Sequence, residues 1–161
     1  MKKLIFALLL LTTSNLFAQK VKGVVTYMDD NAKTHTNMGE SVYLIPCKNC
    51  SAKDFFYITN YTLEKSIIRG NEKLTRMGGN PDPSNVSTDT MEIYKNKIES
   101  LISKSITTAT VDGAGNYSIE TIKTGRYLLL FECSICDGYS CNIIEIKGKE
   151  TLNKDHKFLC F

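Results

Sequence analysis

Hydrophobic positions along the chain follow two kinds of pattern. VKGVVTYM at 21–28 and SVYLIP at 41–46 are short, β-branched and partly alternating, the spacing that lets a pleated strand bury one face. Pro46 ends the second run. From about Ser51 to about Ser105 the alternation gives way to a more polar stretch broken by Gly70, Gly78, Gly79, Pro81 and Pro83. Inside it Met91, Tyr94, Ile98, Leu101 and Ile102 recur at helical spacing behind Asp89 as a cap and Glu92 as its capping-box partner. That predicts a helix with one apolar stripe, which packs on a sheet. A further helix is predicted over 53–68, against the propensity of two β-branched pairs and Asn60.

Strand character returns at Thr107 with TTATV, the turn DGAGN, YSIETI, the turn KTG and RYLLLFEC; CNIIEIKG and TLNKDHKFLC then read as a closing hairpin. The count is about seven strands with no regular β-α-β alternation, which predicts a mainly β fold, an antiparallel β-sandwich with a helical insertion at about 53–104.

Residues 1–18, MKKLIFALLLLTTSNLFA, have two lysines, an apolar run from Leu4 to Leu11 and a small residue, Ala18, at the end. This is the pattern of a secretory signal peptide cleaved after Ala18. The run is too short to cross the roughly 30 Å hydrocarbon layer as a helix, so no membrane span is expected after cleavage. No cysteine occurs before Cys47, so the lipid-attachment cysteine of a lipoprotein is missing. The expectation is a secreted or periplasmic product in which residues 19–161 form a single domain. Composition agrees with a packed domain, because 42% of the 161 residues are hydrophobic. Two of the 20 basic residues, Lys2 and Lys3, lie in the leader, so the remainder nearly balances its 17 acidic residues. That charge gives no reason to expect a nucleic-acid partner.

All six cysteines, Cys47, Cys50, Cys133, Cys136, Cys141 and Cys160, follow the leader. An even count in an exported chain reads first as disulfides. Cys141 and Cys160 open and close the predicted final hairpin, so they are expected to face each other and bond. CKNC at 47–50 and CSIC at 133–136 are C-x-x-C pairs, for which structural disulfides, a four-thiolate zinc site and a redox-active pair all stay open.

The segments VKGVVTY, MGESVYLIP and TVDGAGNYSIETIKTGRYLLLFE, with Asp112-Gly113, Gly115-Asn116-Tyr117, Gly125 and Tyr127 at their centre, resemble the carboxypeptidase regulatory-like domain, a transthyretin-like β-sandwich. The final IIEIKGKETLNKDHKFL resembles that family's closing hairpin. The resemblance implies that the strands before the two C-x-x-C pairs are neighbours, and hence that Cys47, Cys50, Cys133 and Cys136 meet at one end of the sheet. Asp112 is expected to bond turn amides, with glycine supplying the left-handed backbone.

Catalytic patterns are missing from the sequence. The two histidines, His35 and His156, stand in no motif, and the chain ends Leu159-Cys160-Phe161 instead of in the Tyr-Arg-Gly-Ser tail of the hydroxyisourate hydrolases that share a transthyretin-like fold. Asp29 and Asp30 read as a solvated loop before they read as a calcium site. Phe55, Phe56, Tyr57 and Tyr61 open the insertion, either as cover for the sheet or as an aromatic patch for a protein or glycan partner at the cell surface. Together these features predict a secreted, non-enzymatic binding or scaffold module that needs no cofactor. The alternative is a metal-binding or redox-active module using the two C-x-x-C pairs.

Overall fold

The computed structural model describes residues 19–80, 87–121 and 123–160. The expected leader at 1–18 lies outside them. Among the described residues nine strands, β1 (Gln19–Met28), β2 (Thr34–Thr36), β3 (Ser41–Pro46), β4 (Thr107–Thr110), β5 (Asn116–Thr121), β6 (Gly125–Cys133), β7 (Gly138–Ile146), β8 (Thr151–Asn153) and β9 (His156–Leu159), form two sheets. In the first, β1 lies between β2 and β5 as antiparallel partners, and β8 and β9 run parallel to β1. The second has the order β4-β3-β6-β7, antiparallel throughout. The fold is a β-sandwich, as expected, and the helical insertion forms a third layer on the second sheet.

The predicted closing hairpin does not form. CNIIEIKG is β7, paired with β6 in the second sheet, whereas TLNKDHKFLC crosses to the first sheet as β8 and β9. The crossing passes closely over β1. A Cβ on Gly23 would stand 2.2 Å from the Lys154 carbonyl oxygen, in the short link between β8 and β9. The bare glycine is what lets that link lie against β1, where the Lys154 amide donates to Lys22.

Two cores share β6. Tyr127, Leu129 and Phe131 point into the space between the sheets beside Val21, Val25 and Leu44. Leu128 and Leu130 point the other way, onto the helices, with Ile45, Ile58, Tyr61 and Ile98. Every residue from Tyr127 to Phe131 is therefore buried. A strand covered on both faces has no polar face, which is why this segment is an unbroken apolar run.

The helices are α1 (Ala52–Arg76) and α2 (Thr88–Ile102). α1 opens where the Asp54 carboxylate accepts from the Ser51 amide at 2.8 Å and the Ser51 hydroxyl at 3.2 Å, and it runs eight residues beyond the predicted end. α2 is capped by Ser87, whose hydroxyl accepts from the Thr90 amide at 3.1 Å; Asp89 sits in the first turn instead. Met91, Tyr94, Ile98, Leu101 and Ile102 all join the helix-side core, as their spacing predicts.

Candidate functional site

The cysteines divide by face. β3 and β6 are antiparallel, with Pro46 opposite Tyr127. Neighbouring antiparallel strands finish at opposite ends of the sheet, so Cys47, just past Pro46 and bonded to Arg126, lies seven residues along β6 from Cys133, or about 23 Å at strand rise. This overturns convergence of the two C-x-x-C pairs and with it the four-thiolate zinc site. Cys47 bonds Cys50 in the helix-side core, which Cys141 also lines. Cys136 bonds Cys160 in the inter-sheet core, where Cys133 joins them. Each face holds three cysteines, one disulfide and one free thiol. The expected Cys141–Cys160 bond is corrected for the same reason: the second sheet stands between the two residues.

The inter-sheet trio is tightly built. β6 ends at Cys133, and the next turn, closed by the Asp137 amide on the Ser134 carbonyl at 3.1 Å, folds Cys136 back over it. The Cys136 amide donates to the Cys133 sulfur at 3.3 Å, and the two Sγ atoms are 2.9 Å apart. Cys160 arrives from the other sheet at the end of β9, its amide bonded to the Met28 carbonyl at 2.9 Å. The three sulfurs lie within 4.8 Å of one another, all buried. Burial pushes the Cys133 thiol up to about 11; the Cys136 amide opposes this and the Glu40 charge adds to it. On the other face, burial pushes Cys141 up to about 12, with the Asp54 charge adding.

α1 fixes this turn from outside. Thr62 uses its hydroxyl twice on the edge strand β7, donating to the Tyr139 carbonyl at 2.8 Å and accepting from the Tyr139 amide at 2.9 Å. One turn on, Lys65 pairs with Asp137 at 3.2 Å, and Arg69 donates to the Ile135 carbonyl. These side chains fall on one line of the helix. Thr62 thereby occupies backbone groups that an exposed sheet edge would leave open.

The aromatic cluster divides around α1. Tyr61 is buried against Tyr139 at 5.9 Å between ring centres, and Phe55 packs on the helix-side core. Tyr57 is half-buried beside Tyr94. Only Phe56 is exposed. It starts a line the sequence reading passed over: Phe56, Leu63, Ile67 and Leu74 on α1, then Met77 at its C-cap, are 41–76% exposed. Steps of seven, four, seven and three residues keep them on one side of the helix. The signal stood in the sequence, but Asn60 and Gly70 interrupt it.

The polar candidates are already engaged. Asp29 accepts from the Asn31 and Lys33 amides and from His35 at 2.9 Å, and His35 stacks on Tyr27. The His35 bond, chiefly, holds the Asp29 carboxyl below its usual range. Asp30 pairs with Lys73 of α1, so neither carboxylate of this loop is kept for calcium. Asp112 binds the Ala114 and Asn116 amides at 2.9 and 2.8 Å, as the turn chemistry predicts, and Gly115 takes the left-handed φ of 85°. An open groove of about 630 Å³ includes Lys20, Lys22, Asp112, Asn153 and Asp155. Asp155 is spent on the Val24 amide at 2.8 Å. Both groove carboxylates thus serve the backbone.

No family model and no curated protein matches the chain. Solved structures similar to it include a Pseudomonas aeruginosa protein proposed to bind carbohydrate, at 11% identity and TM-score 0.45, covering 86% of this chain and 88% of that one. A minor pilin of Streptococcus agalactiae is similar at 9% identity and TM-score 0.43, covering 89% of this chain and 45% of the pilin. The pilus backbone protein of Streptococcus pneumoniae is similar at 9% identity and TM-score 0.33, over 84% of this chain and 39% of that one.

Proposed function

We propose that this is an exported, non-enzymatic β-sandwich module of the carboxypeptidase regulatory-like type whose helical layer binds a protein partner at the cell surface. One observation carries the reading: the exposed apolar line Phe56, Leu63, Ile67, Leu74 and Met77 on a helix whose opposite side is already fastened to the sheet. Phe56 also meets the Tyr94 ring edge-on at 6.1 Å, but all five side chains keep 41–76% of their surface open, and exposed apolar stripes of this kind are a common basis of protein recognition. Its spacing is that of a helix seam, which suits a partner presenting an apolar helix. A glycan partner is the weaker fit, because sugar faces stack on exposed rings and Phe56 is the only exposed ring in the line. The signal-like leader and the two disulfides support an oxidising compartment outside the cytoplasm.

The test is the triple variant Leu63→Glu, Ile67→Glu, Leu74→Glu. All three side chains are exposed, so the variant should melt within a few degrees of wild type, since surface changes usually stay within about ±0.5 kcal/mol each. It should lose the envelope proteins that wild type retains in a crosslinked pull-down from the source cells. Equal retention of the same proteins by the folded variant overturns the reading.

A further inference from the structure

The geometry points to Cys133, Cys136 and Cys160 as a thiol–disulfide exchange site that hands its bridge from Cys136–Cys160 to Cys133–Cys136 and presents the Cys160 thiol to an external disulfide.

The Cys133 sulfur stands 2.9 Å from that of Cys136, which is bonded to Cys160. A free thiol against a disulfide is the reactant pair for exchange. In the first step the Cys133 thiolate attacks Cys136 Sγ, the Cys133–Cys136 bond forms, and the Cys136–Cys160 bond breaks. Cys160 leaves as a thiolate, and the proton that Cys133 gave passes to solvent, where the RS⁻ released in the second step can take it up. Nothing is oxidised or reduced overall. In the second step the Cys160 thiolate attacks one sulfur of a small disulfide RSSR, giving Cys160–S–SR and releasing RS⁻.

The two bridges are structurally unequal. Cys136–Cys160 ties the β6–β7 turn of one sheet to the end of β9 in the other, whereas Cys133–Cys136 closes only its own turn. Exchange therefore unfastens β9 from the second sheet without disturbing β6 or β7. The turn is already pinned by Lys65 and Arg69. Cys160 is itself buried, 6% exposed, while Leu159 beside it turns outward at 56%; the Cys160 thiol therefore meets an external disulfide when the end of β9, released from its bridge, opens.

The charged groups acting on Cys133 are Glu40, which raises its thiol, and Arg69, which lowers it; burial dominates both. The attacking group is a protonated thiol at neutral pH, so exchange is slow there. Its rate should rise about tenfold per pH unit between pH 7 and 10, as the thiolate fraction does.

Folded protein is treated with 5,5′-dithiobis(2-nitrobenzoate) at pH 7, 8 and 9, quenched in acid, digested with pepsin and mapped by mass spectrometry. The expected map puts one thionitrobenzoate on Cys160 together with a Cys133–Cys136 bridge, at a rate rising about tenfold per pH unit. Cys133→Ser should abolish the Cys160 adduct and keep the Cys136–Cys160 bridge, and its far-UV spectrum reports that it is folded. As a second variant, Cys160→Ser leaves Cys133 and Cys136 as two thiols, and oxidised glutathione, itself reduced to two glutathione thiols, should join them as a Cys133–Cys136 bridge. An adduct on Cys133 with Cys136–Cys160 intact, an adduct on Cys141 alone, no adduct at pH 9, or three reduced sulfurs holding a metal ion would each overturn the proposal.

Discussion

At the scale of single residues, position in the fold gives identical side chains different chemistry. His35 lies on the short strand β2 with Asp29 as its partner, whereas His156 stacks on Phe131 at 4.7 Å between ring centres and has its pKa lowered by burial. The folded protein therefore keeps His156 neutral below the ordinary value of 6.5, where the unfolded chain takes up the proton. Stability from this residue is complete above 6.5 and is lost as the pH falls below it. Urea unfolding at pH 7.5 and pH 5.5 should show a lower midpoint at the acid pH, and His156→Phe should flatten that difference; a slope unchanged in the variant would assign it to other groups. The turn at Asp112 was readable beforehand because its partners, Ala114 and Asn116, are two and four residues away. Gly23 was not, because its reason is the Lys154 carbonyl more than a hundred residues on.

At the scale of elements, pattern located the pieces and packing set their limits. The stripe from Met91 to Ile102 predicted α2 and its buried face, but with Asp89 as the cap, and Ser87, two residues earlier, takes that position. Ser87 won because its hydroxyl reaches the Thr90 amide, with the Thr90 hydroxyl at 2.8 Å closing the same turn. Ser87→Ala should cost about 1 kcal/mol in chemical denaturation, and Asp89→Ala only the few tenths of a helix-dipole contact. The reverse order would restore Asp89 as the cap. α1 is helical despite its β-branched pairs because Ile58 and Tyr61 are buried on the sheet and Thr62, Lys65 and Arg69 fasten it there; tertiary contact outweighs a propensity deficit of a few tenths of a kcal/mol per residue. β6 carried a clue that its neighbours did not. Its unbroken apolar run already implied cover on both faces, and the helices supply the second.

At the scale of the whole molecule, the second sheet partitions the sulfur chemistry. Three cysteines lie on each side of it, so the expectation of three disulfides gives way to two bridges and two thiols. The Cys136–Cys160 bridge joins the two sheets across 24 residues of chain. Cys160→Ala should cost about 3 kcal/mol by loop-closure entropy, whereas Cys141→Ala, which breaks no bridge, should cost about 1 kcal/mol of lost packing. Equal melting temperatures for the two variants would restore a role for Cys141 in bonding. The sequence by itself determined seven strand segments, the Asp112 turn and the α2 stripe, because each depends on neighbours a few residues apart; it missed the short β2 and read β8 and β9 as one strand of a hairpin. Only the tertiary structure decided which strand lies beside which, in which direction and in which sheet. A period-two pattern says that a strand has a buried face without naming its partner. Antiparallel order sent the two C-x-x-C pairs to opposite ends of the sheet, and the crossing of β8 and β9 to the first sheet carried Cys160 away from Cys141 and onto Cys136.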